Sequence, residues 1–253
     1  MKAFLRKEWL EMTRTGRLLI IGILFFLFGV MNPAIAKLTP ALLEMMKDAV
    51  EQSGITVGEV KVDAMASWTQ FYKNASIVLI VIVLMLAGVL VNEYQKGTLV
   101  QVVTKGLSRR KIMLVKMITV YGTWTAAYLV YFGVTFGYNA YFWGDEKVEH
   151  MFPGVFSLWL RGMLLLALVL FFSAFASNMG QVLMGVGLVT VVLFFLNYIP
   201  KLSKYLPFRL MDGIELMGGR LEIKDFIPAI VAACISTVLC SIISLVAFDK
   251  RNL

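Results

Sequence analysis

Residues 92–116 read NEYQKGTLVQVVTKGLSRRKIMLVK and form a polar, strongly basic insert between two long apolar runs. The insert holds six Lys/Arg residues and one acid, Glu93, and Gly97 and Gly106 bracket its short patterned segment, TLVQVVTK. Because the apolar runs on both sides are long enough to span a bilayer, the insert lies outside the bilayer. We therefore predict that this stretch contacts something at the membrane surface.

The composition of the chain is that of a polytopic membrane protein. Of 253 residues, 59% are hydrophobic and only 16% are charged, and the mean hydropathy is +0.80, which is far above that of soluble domains. The 24 Lys/Arg outnumber the 16 Asp/Glu. In a membrane protein such an excess indicates cytoplasmic loops beside anionic lipid, so we expect membrane lipid and no nucleic acid among the partners.

Six apolar runs predict an all-α polytopic fold with six transmembrane helices in a single transmembrane domain, residues 1–253. Residues 1–17 predict an amphipathic interfacial helix with Leu5, Trp9 and Met12 on one stripe. A simpler interpretation, a positively charged flank that orients the first span, predicts the same side of the membrane. The predicted spans are about 18–36, 75–92, 118–138, 156–177, 182–199 and 226–248.

The orientation follows from the distribution of Lys and Arg. With the termini inside, the inner segments hold 13 Lys/Arg and the outer ones 11. The two inner segments nearest the N-terminus decide the orientation, because their net charges are +3 and +5. Both termini of this multi-pass protein are therefore predicted to be cytoplasmic.

The outer loop after the first span predicts two further helices. We expect the first span to end near residue 36, and Thr39 and Pro40 to act as N-cap and first-turn proline of a new helix that runs to Gly54. A second helix is predicted to start at Asp63 and to lead into the next span.

The chain lacks the side chains that most membrane chemistry needs. No predicted span carries a charge near its middle, which disfavours ion coupling. Arg161 is expected near the outer interface, where it snorkels or pairs with Asp145, Glu146 or Glu149. The single histidine, His150, lies in a loop without metal-ligand spacing, and no GxxxxGK[ST] motif is present. We predict no catalytic, cofactor or metal site in this chain.

The insert resembles the segment between the second and third spans of type-2 ABC exporter permeases. The family pattern is an acidic residue, Gly-Thr, a short apolar helix, a Thr/Ser-Lys-x-Leu-Ser-Arg run and a Lys before the next span. Here Gly106 stands where the family often has proline. The matching positions are Glu93, Gly97, Thr98, Leu99, Thr104, Lys105, Leu107, Ser108, Arg109 and Lys116.

The resemblance implies a coupling helix between spans two and three that contacts a separate ATPase subunit in the cytoplasm. ATP and Mg would bind to that partner. This chain would bind no cofactor and would not itself be an enzyme. A second permease copy or a homologue would complete the pathway. The residues expected to couple to the ATPase are Glu93, Gly97, Thr98, Leu99, Val102, Val103, Thr104, Lys105, Ser108 and Arg109.

The cargo is expected to be hydrophobic or amphipathic, because the predicted spans carry almost no charge. The chain resembles most the membrane subunits of exporters of amphipathic peptide toxins, such as phenol-soluble modulins or bacteriocins. Lipid or drug export by the same family is the alternative. Outside the ABC class, an ion-coupled secondary carrier and a membrane assembly scaffold stay open.

Overall fold

The computed structural model describes residues 1–45, 62–144 and 148–251, and the described residues contain helices and no strand. Six of the helical stretches are long and apolar enough to cross a membrane. The predicted all-α fold with six spans is therefore confirmed, while the side on which the termini lie stays a prediction.

The described residues form the following elements: α1 (Lys2–Arg14), α2 (Arg17–Met45), α3 (Ala64–Leu86), α4 (Val91–Gln95), α5 (Thr98–Thr104), α6 (Arg109–Phe142), α7 (Met151–Phe175), α8 (Met179–Leu196), α9 (Pro200–Ser203), a 3₁₀ helix (Pro207–Asp212), α10 (Gly213–Met217) and α11 (Ile223–Lys250). The candidate spans are α2, α3 continued by α4, α6, α7, α8 and α11.

The helix that forms the first span does not end near residue 36. Helix α2 continues through Pro33 and Pro40 to Met45, so the predicted new helix at Thr39 and Pro40 is wrong in its start, and its remainder lies outside the described residues. A proline removes the hydrogen bond to the carbonyl four residues earlier. For Pro33 that carbonyl belongs to Gly29, and it accepts a 3.0 Å hydrogen bond from Thr135 of α6 instead.

Side-chain caps fix two helix starts that the sequence signals directly. Asp63 caps α3 by accepting a 3.1 Å hydrogen bond from the backbone N–H of Ala66, as predicted. Asn178 caps α8 in the same way, through the N–H of Gln181 at 2.9 Å. Because three residues separate α7 from α8, these two spans form an antiparallel hairpin.

Aromatic side chains of α6 fill the centre of the bundle. Trp124, Tyr128 and Tyr131 are all buried. Their polar atoms donate to backbone carbonyls of neighbouring helices: the Tyr131 hydroxyl to Phe71 at 2.7 Å and the Trp124 indole to Trp159 at 3.0 Å. These bonds satisfy the polar ends of large apolar groups. They tie α6 to both α3 and α7.

The segment that joins α8 to α11 packs against the beginning of α7. The Ser157 hydroxyl donates to the carbonyl of Leu210 at 3.2 Å, and the Glu149 N–H donates to the carbonyl of Met217 at 3.0 Å. Gly154 lets Met217 approach, because a Cβ there would lie 2.5 Å from that side chain. The 3₁₀ helix and α10 therefore form a fixed lid over one end of the bundle.

Arg161 is buried against the segment that follows α8. Helix α7 starts at Met151, several residues before the predicted span, and ten residues later Arg161 is about 15 Å along the helix axis. It is 8% exposed, and its Nη1 donates to the Phe208 carbonyl at 3.4 Å. Within the described residues Arg161 forms no ion pair with Glu149. Its place near the outer interface, and the absence of charge near the middle of the spans, stay predictions. The other two predicted partners lie outside the described residues.

The outer surfaces of α8 and α11 are apolar and exposed in the isolated chain. Phe195 is 66% exposed and Ile235 is 55% exposed. Such faces suit contact with lipid or with another helix, where apolar exposure carries no hydration penalty.

Candidate functional site

The predicted coupling segment forms a seven-residue helix, α5, between two left-handed glycines. Gly97 has φ +66° and Gly106 has φ +87°, a conformation that residues with a Cβ rarely adopt. The Thr98 hydroxyl donates to the Glu93 carbonyl at 3.1 Å, so the first turn of α5 is tied to α4. Leu99 is fully buried and anchors the helix to the bundle.

The N-terminal helix α1 docks beside this segment. Its inward face carries Phe4, Glu8 and Met12. Of the predicted stripe, Met12 is buried, Leu5 is half-buried and Trp9 is 51% exposed. The face that packs on the bundle is Phe4-Glu8-Met12 and includes a carboxylate. The role of Leu5, Trp9 and Met12 at the membrane surface stays a prediction.

Five charged side chains, Lys7, Glu8, Glu11, Glu93 and Lys116, form an ion-pair cluster that joins α1, α4 and α6. Lys116 Nζ lies 2.6 Å from a Glu8 carboxylate oxygen and 3.0 Å from one of Glu93. Lys7 Nζ lies 3.1 Å from Glu8 and 2.7 Å from Glu11, and it also pairs with Glu93. Three distant parts of the chain are therefore held together by charge.

The inner half of the cluster is dry. The side chains of Lys116 and Glu8 are 2% and 3% exposed, and that of Glu93 is 9% exposed. Each buried charge contacts at least one of opposite sign, which is the condition under which buried charges are tolerated. Removal of one member leaves the others without full compensation.

The outer half of the cluster contains the groups with shifted pKa values. Burial opposes the charge of Lys7, but its hydrogen bonds to Glu11 and Glu93 outweigh that effect and raise its pKa. Burial also opposes the charge of Glu11, while its contact with Lys7 prevails and lowers the pKa of Glu11. Both shifts favour the charged forms.

The cluster does not offer a vacant metal site. Carboxylate oxygens of Glu8, Glu11 and Glu93 lie within 4.8 Å of one another, a spacing that a cation can bridge. The ammonium group of Lys7 contacts all three carboxylates. It already supplies the positive charge that a metal would bring.

Two arginines connect the cluster region to the C-terminal end of the bundle. Arg251 follows α11 and donates to the carbonyls of Ser173, Ala174 and Ala176 at 3.0, 3.1 and 2.6 Å, which caps the free carbonyls at the end of α7. Its guanidinium lies 4.0 Å from the ring of Tyr94 in α4. Arg110, at the start of α6, pairs with Asp249 at 2.8 Å. The ends of four helices thus meet around α4 and α5.

The structure separates the predicted coupling residues into an inward and an outward set. Glu93 and Leu99 face inward and are buried. The remaining positions are half-buried or exposed: Thr98, Val102, Val103 and Arg109 are half-buried, and Gly97, Thr104, Lys105 and Ser108 are exposed. Val100 and Gln101 share the exposed face of α5 and belong to the surface that a partner can reach.

Sequence reasoning missed Lys7, Glu8 and Glu11 as members of the site, and it assigned Lys116 only to the family pattern. A signal existed for Lys116, which stands alone within the apolar run IMLVKMITV. Glu8 lies between Phe4 and Met12 at helical spacing, so a carboxylate on the inward stripe could have been inferred.

A second feature is a groove between α3, α7 and α8 that is closed at one end by the 3₁₀ helix. Its volume is about 510 Å³. The lining is apolar except for Arg161, Ser76 and Thr190. We refer to it as the Arg161 groove.

A comparison with curated proteins found no match. Residues 3–212 match the profile of a family described as ABC-2 family transporter protein. The match covers the ion-pair cluster, α5 and the Arg161 groove. The chain therefore belongs to the ABC-2 transporter family and is a multi-pass membrane permease component of an ABC transporter.

Proposed function

We propose that this permease works in an ATP-driven exporter of the bacterial plasma membrane, with a separate ATPase subunit that binds the exposed face of α5. The observation that carries the proposal is the way α5 is held. Left-handed glycines end it on both sides, and its N-terminal turn is bonded to Glu93 of the ion-pair cluster. A short helix held in this way moves together with α1, α4 and α6 as one body when a partner pushes on it.

The exposed face of α5 suits a protein partner. Val100 is 43% exposed, and it is flanked by exposed Gln101, Thr104 and Lys105. An apolar centre with a polar rim is the usual composition of a specific interface. No ATP-binding motif accompanies this face in the sequence, so hydrolysis is assigned to the partner chain.

A second permease copy or a homologous permease completes the proposed transporter. The apolar faces of α8 and α11, exposed in the isolated chain, provide surface for that contact and for lipid. The proposed cargo is hydrophobic or amphipathic, with a toxin or antimicrobial peptide as our first choice. The Arg161 groove supports this class, because its lining is mainly apolar. Lipid or drug export would use the same surfaces.

Co-purification with the ATPase tests the proposal. The Val100→Asp variant places a charge at the centre of the exposed α5 face without touching the buried contacts. We expect the tagged variant to recover little ATPase from solubilised membranes. The matched control is Lys201→Glu, an exposed charge change in α9 at a site remote from α5, which should recover as much ATPase as the unmodified chain. Equal recovery with both variants would contradict the assignment of α5, and absence of any nucleotide-binding subunit would contradict the ABC exporter as a whole.

The cargo is tested separately in inverted vesicles that contain the permease and its ATPase. ATP-dependent accumulation of an amphipathic helical peptide, with no accumulation when the proton gradient alone is imposed, is the expected result. Transport of a fluorescent phospholipid but not of the peptide would replace peptide export by lipid export.

A further inference from the structure

The Arg161 groove contains a cation whose bonding needs are not met. The guanidinium makes one hydrogen bond to the described part of the protein, from Nη1 to Phe208 at 3.4 Å, and Nε is buried without a partner. A guanidinium carries five N–H donors. Most of its donor capacity is therefore unused, although the side chain is nine-tenths buried.

The described surroundings of Arg161 compensate only part of its charge. Phe208 packs over the guanidinium at 4.7 Å from the ring centre, which gives a weak attraction. Asp212 is near enough to interact electrostatically, but in the described ranges no carboxylate forms an ion pair with Arg161. An unpaired charge inside a span is costly and usually marks a site of function.

The groove next to this cation is large enough for a ligand and opens towards lipid. A volume of about 510 Å³ lies within the range of pockets that hold drug-sized molecules. Ile80 and Val191 line it and are 59% and 53% exposed. Because these residues belong to spanning helices, the mouth of the groove faces the bilayer.

We propose that the Arg161 groove binds an anionic single-chain amphiphile that enters from the bilayer, with its oxyanion on the guanidinium of Arg161 and its aliphatic part along Leu79, Val83 and Val186. Charge complementarity selects the anion, since one oxyanion provides the acceptors that Nε and Nη2 lack. The lining selects the aliphatic part. The binding site itself does not depend on the proposed function; only the ligand's role as cargo rests on it. As cargo, the ligand would give the exporter a preference for acidic amphiphiles.

Binding is measured on the purified permease in nanodiscs, without ATP or ATPase. The probes are palmitate that carries a fluorescent anthroyloxy group and its uncharged methyl ester, at a pH of about 8, where the carboxylate is ionised. We expect the acid to bind more tightly than the ester. The Arg161→Gln variant should weaken binding of the acid by about tenfold or more, because charge-assisted hydrogen bonds are lost, and should change binding of the ester less than about twofold.

A second variant tests the groove with the cation intact. Gly187 lines the groove, and a Cβ there meets nothing within 4 Å, so Gly187→Leu fills the space without disturbing the fold. It should weaken binding of both probes. Gly122→Leu is the matched control, since Gly122 is equally free of neighbours but lies in α6 outside the groove.

Three results would overturn the inference. The first is equal binding of the acid by the unmodified chain and by Arg161→Gln, and the second is equal loss with Gly187→Leu and Gly122→Leu. The third is a groove filled by a second permease copy, seen as cross-linking of the Val191→Cys variant to the same position of its partner with no binding of the acid. Each of these leaves the ATPase co-purification unaffected, so failure of the site and failure of the exporter assignment are distinguishable.

Discussion

Replacement of Lys116 by methionine probes the ion-pair cluster at its most buried member. Methionine keeps the length and apolar stem of lysine and removes the charge. Glu8, at 2.6 Å, and Glu93, at 3.0 Å, then remain buried with only Lys7 as a cation. Loss of one partner from a buried ion pair costs about 3–5 kcal/mol. We expect the lower end, about 3 kcal/mol, because Lys7 keeps its contacts with both carboxylates.

The assay is thermal unfolding of the purified permease in one detergent. For a chain of this size, about 1 kcal/mol corresponds to 2–4 °C, so Lys116→Met should lower the Tm by about 6–12 °C. Lys111→Met is the control, because Lys111 lies on the same helix and is exposed. Its change should remain within about 0.5 kcal/mol.

A double variant separates the lost charge pair from lost packing. Glu8→Gln in the Lys116→Met background removes one of the uncompensated carboxylates. We expect part of the lost Tm to return, whereas independent effects would add. An unchanged Tm for Lys116→Met, or additive losses in the double variant, would refute the role of the cluster in holding α1 to α6.

Three further predictions concern backbone geometry, packing and titration. Gly97→Val should reduce ATPase co-purification, because its φ of +66° costs a β-branched residue about 1–2 kcal/mol, while Gly97→Asn should retain most of it. Gly162→Ala should destabilise the fold by at least about 1–3 kcal/mol in thermal unfolding, because the new Cβ would lie 2.1 Å from an α6 tryptophan ring, whereas Gly187→Ala should be neutral. The lowered pKa of Glu11 contributes stability that is fully present above about pH 4.3 and is lost as the pH falls through the pKa of Glu11 in the folded protein. The raised pKa of Lys7 contributes stability that is fully present below about pH 10.4 and is lost as the pH rises through the pKa of Lys7 in the folded protein. A profile of Tm against pH should show both limbs. Glu11→Gln should remove the Glu11 contribution to the acid limb and also weaken the alkaline limb, because Glu11 is one of the two hydrogen-bond partners that raise the pKa of Lys7.

The parts of the fold that depend on local composition follow from the sequence. Uninterrupted apolar runs determine the six spans, and Gly97 and Gly106 determine the ends of α5, since both signals act within a few residues. The extent of α2 does not follow in this way. Its passage through Pro33 depends on a hydroxyl of α6, 106 residues away from Gly29 in sequence, which no local rule contains.

The functional side chains also divide into those that local sequence predicts and those that depend on contacts between distant parts of the chain. Periodicity predicts that α1 has one inward face, but Phe4-Glu8-Met12 and Leu5-Trp9-Met12 have similar spacing. The carboxylate of Glu8 argues against the first set as the buried face. This objection disappears only when Lys116 is known to pair with Glu8. That partner is 108 residues away. The burial of Arg161 beneath the 3₁₀ helix does not follow from the sequence, because the start of α7 and its cover by the 3₁₀ helix depend on tertiary packing.

The two buried-charge sites differ in whether their charges are paired within the described residues. The ion-pair cluster is internally compensated, so it holds its shape and needs no ligand. Arg161 has no ion-pair partner among the described residues, so we expect its environment to improve when an anion binds. Helix α3 joins the two sites covalently, since it lines the groove through Leu79 and Val83 and continues through the turn at residues 87–90 into α4, which carries Glu93. If an ATPase displaces α5, the displacement can therefore pass along this continuous stretch of backbone to the wall of the groove. We expect a movement of the ion-pair cluster to alter the space beside Arg161.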